Sequence, residues 1–318
     1  MARYIIRRLL QMIPLVIVIS IISFGLFQLQ PGDPIKSYVD RSLVNSAAAV
    51  ERMREQMGLD QPKYVQYYRW MAKVAKGDLG HSYLTGDTVT EIMGRAIPKT
   101  LKLTITAFVI GFSLAIAIGV VSATRRYSVF DQATTIFSFA GIAVPNFWLG
   151  ILLMLLFSVK LRWLPTSGMY TIGHEGEFVD GLKHMVMPVM VLAFSEIAGT
   201  SRYVRSSLLE VLRLDYIRTA RSKGLSEKVV IYRHALRNAL MPVVTFLGLG
   251  LAGFIGGALV IENMFGWPGM GRISVGAVFS KDYPVIMGTT MAFSLLTILG
   301  NLVADIMYAV VDPRVKFS

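Results

Sequence analysis

The feature that most constrains this chain is the recurrence of apolar runs long enough to cross a bilayer. Leu9 to Leu29 is the first, and five more follow at about Leu103 to Ala123, Ala133 to Val159, Met185 to Ser201, Ala239 to Ile261 and Val285 to Val311. At about 1.5 Å of rise per residue, runs of this size match the hydrocarbon thickness of a membrane. With 54% hydrophobic and 16% charged residues among 318, and a mean hydropathy of +0.55, a soluble domain is excluded. The fold class predicted is an all-α polytopic membrane protein with six transmembrane helices.

Charge sets the orientation. Arg3, Arg7 and Arg8 precede the first run, which lacks the short apolar core and small-residue cleavage site of a signal peptide. Residues 1–30 are therefore expected to be an uncleaved transmembrane helix whose N-terminus is cytoplasmic. That choice places 1–8, 124–132, 202–238 and 312–318 inside. There Lys and Arg outnumber the acids Asp131, Glu210, Asp215, Glu227 and Asp312 by about three to one, as the positive-inside rule requires. Both termini are then cytoplasmic. A formal net charge of +12 invites a nucleic-acid reading, but the bases cluster beside apolar spans, so no nucleic-acid partner is expected.

Residues 31–98 read as an extracytoplasmic helical segment, and 99–318 as a core of five spans. In the segment, Val50 to Met57 and a helix from Pro62 to Gly77 are expected, with Tyr64, Tyr67, Met71 and Val74 on one packing stripe. Val89, Ile92, Met93, Ala96 and Ile97 form a second stripe, suited to a helix lying along the outer membrane surface.

Several chemistries are excluded. There is no cysteine, hence no disulfide, thiolate metal site or cysteine nucleophile. Gly248, Gly250 and Gly253 match G-x-G-x-x-G, but their flanks are transmembrane rather than a strand, turn and helix, so Gly253 and Gly257 read as a small-residue packing face. No G-x-x-x-x-G-K-[ST] phosphate loop and no G-x-S-x-G elbow occur. His81, His174, His184 and His234 lack paired spacing, so no metal site is expected. No catalytic residue is assigned. Glu196 and Asp305 fall inside spans, where a charge costs at least ~2.5 kcal/mol. Either they pair structurally toward the cytoplasmic side, or they form the ion relay of a secondary transporter.

Between the fourth and fifth spans lies a charged island. A helix is predicted through Tyr216 to Ser222. Ala220 and Gly224 are placed on one face, with Gly224 as a left-handed stop or a point of close approach. A second helix, from Ser226 as N-cap to His234, follows.

Here the residues carry a resemblance. Asp215-Tyr216-Ile217-Arg218-Thr219-Ala220-Arg221-Ser222-Lys223-Gly224, then His234-Ala235-Leu236-Arg237-Asn238-Ala239-Leu240 and Pro242, resemble the cytoplasmic EAA loop of ABC importer permeases, in the version of the dipeptide/oligopeptide/nickel family. Pro31-Gly32-Asp33-Pro34, the loop carrying Glu262, Phe265, Pro268, Gly269 and Gly271, and Asp312-Pro313-Arg314 are similar to the same family. Tyr216-Ile217 departs from the general Ala-rich pattern and is usual in the peptide branch.

The resemblance implies a type I importer fold with 202–238 as the coupling loop. Asp215, Tyr216, Arg218, Thr219, Ala220, Arg221, Lys223 and Gly224 would then meet an ATP-hydrolysing subunit. It further implies a second homologous permease, two ATPase subunits that hold ATP and Mg, and an extracytoplasmic solute-binding protein, all at a bacterial or archaeal cell (inner) membrane. This chain itself would carry no cofactor and be no enzyme. Between the family's substrates, peptides are favoured over nickel, because a nickel path is expected to show soft or imidazole ligands.

Overall fold

The computed structural model describes residues 2–29, 51, 55, 60–241, 243 and 258–311; the described side chains exclude those of 2–5, 26, 27, 29 and 303–311. The described chain is helical, with one isolated antiparallel bridge, His81 to Thr88. Four of its helices are long and apolar enough to cross a membrane, or five when a bent pair counts as one span. Two compact units divide it, one drawn from 100–267 with 299–318, the other from 2–99 with 268–298.

In the second of these, α1 (Ala2–Leu29) leaves Leu10, Ile13, Val18 and Ile22 more than half exposed. Such a surface is tolerable only against lipid. Helix α2 (Lys63–Val74) starts after Pro62 and gives way to Gly77 in the left-handed region, as expected. Tyr67 packs edge-on to Phe24 of α1 at 5.5 Å and shares a 2.8 Å hydrogen bond with Ser20. Tyr64, expected on the same stripe, is 76% exposed. The first turn of α2 meets α1 through polar groups instead, Lys63 and Gln66 both reaching Gln28.

The stripe from Val89 to Ile97 is not a separate surface helix. It forms the first turns of the 36-residue α3 (Val89–Thr124), where Val89, Met93 and Ala96 are buried with Met270, Ala277, Val285 and Ala292. Apolar residues at this spacing suit either setting, and neighbouring helices supply the burial. Pro98 lies within α3 without ending it.

In the other unit, the span expected over 133–159 is broken. Helix α4 (Val129–Ala143) and α5 (Asn146–Leu153, continued as π-turns over Met154–Lys160) meet at 105°. Pro145 has no N–H to donate and drives Val144 extended, at φ −82° and ψ 120°, which stops α4. Helix α6 (Phe178–Val211) runs 34 residues, past both ends of the expected span. It lies so close to α3 that a Cβ on Gly119 would come within 2.8 Å of the Ser201 carbonyl oxygen. Of the fifth expected span, 244–257 lie outside the described residues; 258–264 are helical. In the unit that also holds 2–99, Met270–Ser280 forms α9; Tyr283–Val311 forms α10, which belongs to that unit as far as Ile298 and follows the sixth expected span.

Candidate functional site

The charged island folds as two short helices on an apolar seat. Helix α7 (Asp215–Ser222) places Ile217 and Ala220 three apart, and both are buried. They join Val120 and Ala123 of α3, Val204, Leu208 and Val211 of α6, and Val230 and Ala235 in one cluster. Everything else on α7 faces outward: Asp215, Tyr216, Arg218, Thr219, Arg221 and Ser222 are exposed, as are Lys223 and Gly224 beyond its end. The result is a short helix with an apolar keel and a polar outer face that carries two bases and one acid. Asp215 in the first turn and Arg221 in the last also complement the helix dipole.

Gly224 adopts φ +76°, its N–H closing onto the carbonyl of Arg221 at 2.9 Å. It is the left-handed stop expected of it. The shared face with Ala220 does not form, because α7 ends at Ser222 and Ala220 turns inward. A Cβ at Gly224 would meet nothing within 4 Å.

Helix α8 (Glu227–Val229) begins where the second helix was expected, but Ser226 makes no side-chain cap. It continues as π-turns over Val230–Ala235 and as α-helix over 236–241, so it does not stop at His234. Arg221 spans the turn between the two helices, donating to both carboxylate oxygens of Glu227 at 2.6 and 3.2 Å. This bond holds the Glu227 carboxyl below its usual range. Asn238 donates to the Tyr216 hydroxyl at 2.7 Å, joining the same segments a second time.

Beneath this surface lies a contact with no sequence signal. Asp131, near the start of α4, accepts two bonds from Arg205 of α6 at 2.5 and 2.8 Å. It also takes the Ser122 hydroxyl of α3 at 2.6 Å and the backbone N–H of Tyr127 at 2.9 Å. One buried carboxylate thus ties α3, α4 and α6 together through Ser122 and Arg205, in the same turns that supply Val120, Ala123, Val204 and Leu208 to the seat of α7.

Glu196 is half-buried and accepts from Thr200 one turn on, at 2.5 Å. Its neighbour in sequence, Arg202, lies over the Phe139 ring at 4.5 Å instead. The side chain of Asp305 lies outside those described. Glu262 and Phe265, expected in a turn-rich loop, are core residues: Glu262 is fully buried and accepts from Thr100 at 2.6 Å, and Phe265 packs with Trp267, Ile261 and Met187. In the other unit, Gly269 caps α9, Gly271 is buried in its first turn, and Pro268 is half-buried.

This architecture has known counterparts. Residues 115–317 match the family described as binding-protein-dependent transport system inner membrane component, and residues 1–104 match its N-terminal component. The chain belongs to that family. The oligopeptide transport system permease protein AppB of Bacillus subtilis (strain 168) is 44% identical over the full length of both chains. The di/tripeptide transport system permease protein DppB of Pseudomonas aeruginosa (strain UCBPP-PA14) is 37% identical over 99% of each. Among solved structures, the MetNI methionine ABC transporter in an inward-facing conformation superposes with a TM-score of 0.55 at 17% identity, covering 70% of this chain and 97% of that one. The fold is that of a type I ABC importer permease, and the chain is the inner membrane component of a binding-protein-dependent transport system.

Of the permease residues singled out by sequence, the structure gathers Asp215, Tyr216, Arg218, Thr219, Arg221, Lys223 and Gly224 on or beside the outer face of α7 and separates Ala220 from them as part of the keel. Arg205 and Asp131 were missed because nothing in the order of residues links positions 74 apart.

Proposed function

We propose that this permease passes di- or oligopeptides across a bacterial or archaeal cell (inner) membrane, as one half of a permease pair served by two ATPase subunits and an extracytoplasmic binding protein. Supporting the substrate class, a relative named for oligopeptide transport is 44% identical from end to end, and one named for di- and tripeptides is 37% identical. The observation that carries the coupling role is the outer face of α7: polar and exposed above an apolar keel. A keel seats the helix on the permease while the outer face is left to the ATPase subunit.

In this reading residues 1–30 are the first span, 31–98 the extracytoplasmic segment and 99–318 the core with coupling loop 202–238, making six spans with both termini cytoplasmic. ATP binding draws the ATPase pair together, α7 follows, and the path between the two permeases shifts from inward to outward facing, as a population shift set by differential affinity.

The deciding experiment is uptake of a labelled di- to pentapeptide by the reconstituted complex, which should require both ATP and the binding protein. A complex that moves nickel while its binding protein ignores every peptide offered would refute the substrate. Orientation is tested separately on the cysteine-free chain with an impermeant thiol reagent on intact cells. Ser280→Cys should label from outside and Ser226→Cys should not; the reverse result would overturn the topology. Ser280 is exposed at the end of α9.

A further inference from the structure

The walls of the seat under α7 come from different helices, Val120 and Ala123 from α3 and Val204, Leu208 and Val211 from α6. A thrust on α7 toward its seat therefore acts as a wedge between α3 and α6. Apolar packing alone would let the walls slide past one another, since it has no preferred direction. What joins them directionally is the Asp131 carboxylate, which accepts the Ser122 hydroxyl from α3 and two bonds from Arg205 of α6. The carboxylate is buried, so losing any of these bonds leaves a polar group without water to replace it. Asp131 belongs to neither wall. It lies in the first turn of α4, its N–H donated to the Ser128 hydroxyl that caps that helix, so whatever moves the walls moves α4 as well.

A second observation marks the same carboxylate. Tyr127, in the turn between α3 and α4, has φ +61°, a costly conformation for a bulky side chain that persists only where its surroundings hold it. Burial does not hold it there, because the Tyr127 side chain is 70% exposed. The turn is closed by the Ser128 N–H on the Arg125 carbonyl at 3.1 Å and by the Tyr127 N–H on Asp131 at 2.9 Å. Farther along, α4 meets α6 as closely as α3 does: a Cβ on Gly141 would come within 2.6 Å of the Ala198 Cβ.

We infer that Asp131 is a positioning residue for coupling, a role that rests on the coupling function proposed for α7. By gathering Ser122, Arg205 and the Tyr127 turn on one carboxylate, it makes α3, α4 and α6 answer a displacement of α7 as one body. Helix α4 runs 15 residues, about 22 Å, from this tie to the 105° bend at Pro145. A body that includes α4 therefore carries a movement at the seat of α7 to that bend. Charge-assisted bonds suit the task, being short, strong and directional.

The cysteine-free chain is given spin labels at Val129→Cys of α4 and Glu210→Cys of α6, both exposed, before it is assembled with its permease and ATPase partners in nanodiscs. Pulsed electron paramagnetic resonance reads the distance between the labels without nucleotide and with a non-hydrolysable ATP analogue. With Asp131 intact the distance should be single and the same in both states. A distance that changes with nucleotide means that α4 and α6 part, and it overturns the inference without recourse to any variant. Asp131→Asn keeps the size of the side chain and removes its charge. With nucleotide it should show a second distance, populated at least about tenfold more than in the parent, and more ATP should be hydrolysed per peptide taken up. Arg205→Lys keeps the cation but gives up the paired bonds, and should show the same changes to a smaller extent. A single, unchanged distance in both variants overturns the inference. So does a parallel loss of hydrolysis and uptake, which is what a contact serving stability alone predicts. Ile217→Ala is measured alongside. If it too leaves the ratio of ATP to peptide unchanged, the coupling role of α7 fails; if it raises that ratio while Asp131→Asn does not, only the role of Asp131 fails.

Discussion

Two short surface segments of this permease are pinned down in opposite ways. Helix α7 rests on Ile217 and Ala220, two apolar side chains set into an apolar cluster. The loop over 78–88, in the other unit, is held by a carboxylate. Asp282, 4% exposed, accepts from the Ser82 hydroxyl and from the backbone N–H groups of Tyr83 and Leu84 at 3.1 and 3.4 Å. Apolar contact has no preferred direction, so a tilt or slide of α7 on its seat disturbs only exposed polar bonds, Arg221 to Glu227 and Asn238 to Tyr216, whose groups water can reach. Hydrogen bonds to a buried charge have direction, and any shift of the loop orphans several groups at once. The difference suits a coupling helix that must follow a moving partner and a loop that must hold its shape.

Asp282→Ala should have the largest effect. It strips the Ser82 hydroxyl and the Tyr83 N–H of the carboxylate they donate to, while the Leu84 N–H keeps Ser82 Oγ at 3.2 Å, at a cost of about 3 kcal/mol. The expected outcome is a lower melting temperature in nanodiscs and new protease cleavage near Leu84, which is 73% exposed. Asp282→Asn, keeping an oxygen but turning an N–H toward other donors, should fall in between. A silent Asp282→Ala would dissolve the contrast.

Ile217→Ala comes next. The side chain is fully buried, so truncation should cost about 2–4 kcal/mol, spent mostly on the docking of α7. ATP hydrolysis by the complex should continue while peptide uptake falls, and the ratio of the two is the measurement. Ile217→Leu keeps the volume and should largely restore coupling, because a non-directional seat tolerates a change of shape. If Leu proves as defective as Ala, the seat is a specific lock and the comparison fails.

How much of this was legible in the order of residues follows from the range of the interactions. Span existence was, because twenty apolar residues in a row have few fates, and the stop at Gly224 was, because glycine after a basic last turn is a local signal. Pro145 stood inside an expected continuous span and was the local sign of its 105° bend. Ala220 was assigned to the partner face when its spacing from Ile217 put it in the keel. Phe265 does lie in a turn, but its burial was not legible, because the cluster that covers it draws on Met185 to Leu192, some seventy residues earlier. Asp131 with Arg205, and Asp282 with Ser82, are long-range polar pairs that no local pattern encodes.

Gly224 offers a smaller test. Gly224→Leu should cost about 1–2 kcal/mol for the left-handed backbone at φ +76°. Since a Cβ there meets no atom of the permease within 4 Å, Gly224→Asn should fold as well as the parent chain. Uptake then separates the two roles: full activity of Asn makes Gly224 a helix stop, and a folded but inactive Asn variant makes it a point of close approach to the ATPase subunit.

The smallest effect belongs to the one ion pair that joins α7 to α8. Arg221 and Glu227 keep 43% and 57% of their side-chain surface exposed, so solvent screens the pair and its worth is about 0.2–1 kcal/mol. The bond lowers the Glu227 carboxyl from its ordinary value, which fixes the sign of the pH dependence. Its contribution is fully present above the ordinary carboxylate pKa of about 4.3 and is lost as pH falls through the lowered value of the folded state. Glu227→Gln should therefore be slightly less stable than the parent at pH 7, and the gap should close in acid and narrow with added salt. Hydrogen exchange over 221–229 in nanodiscs is the measurement, since a change this small vanishes in a global melt. A loss at pH 7 as large as that of Asp282→Ala would mean that α7 is held by directional polar bonds after all, and its freedom to move on an apolar keel would have to be given up.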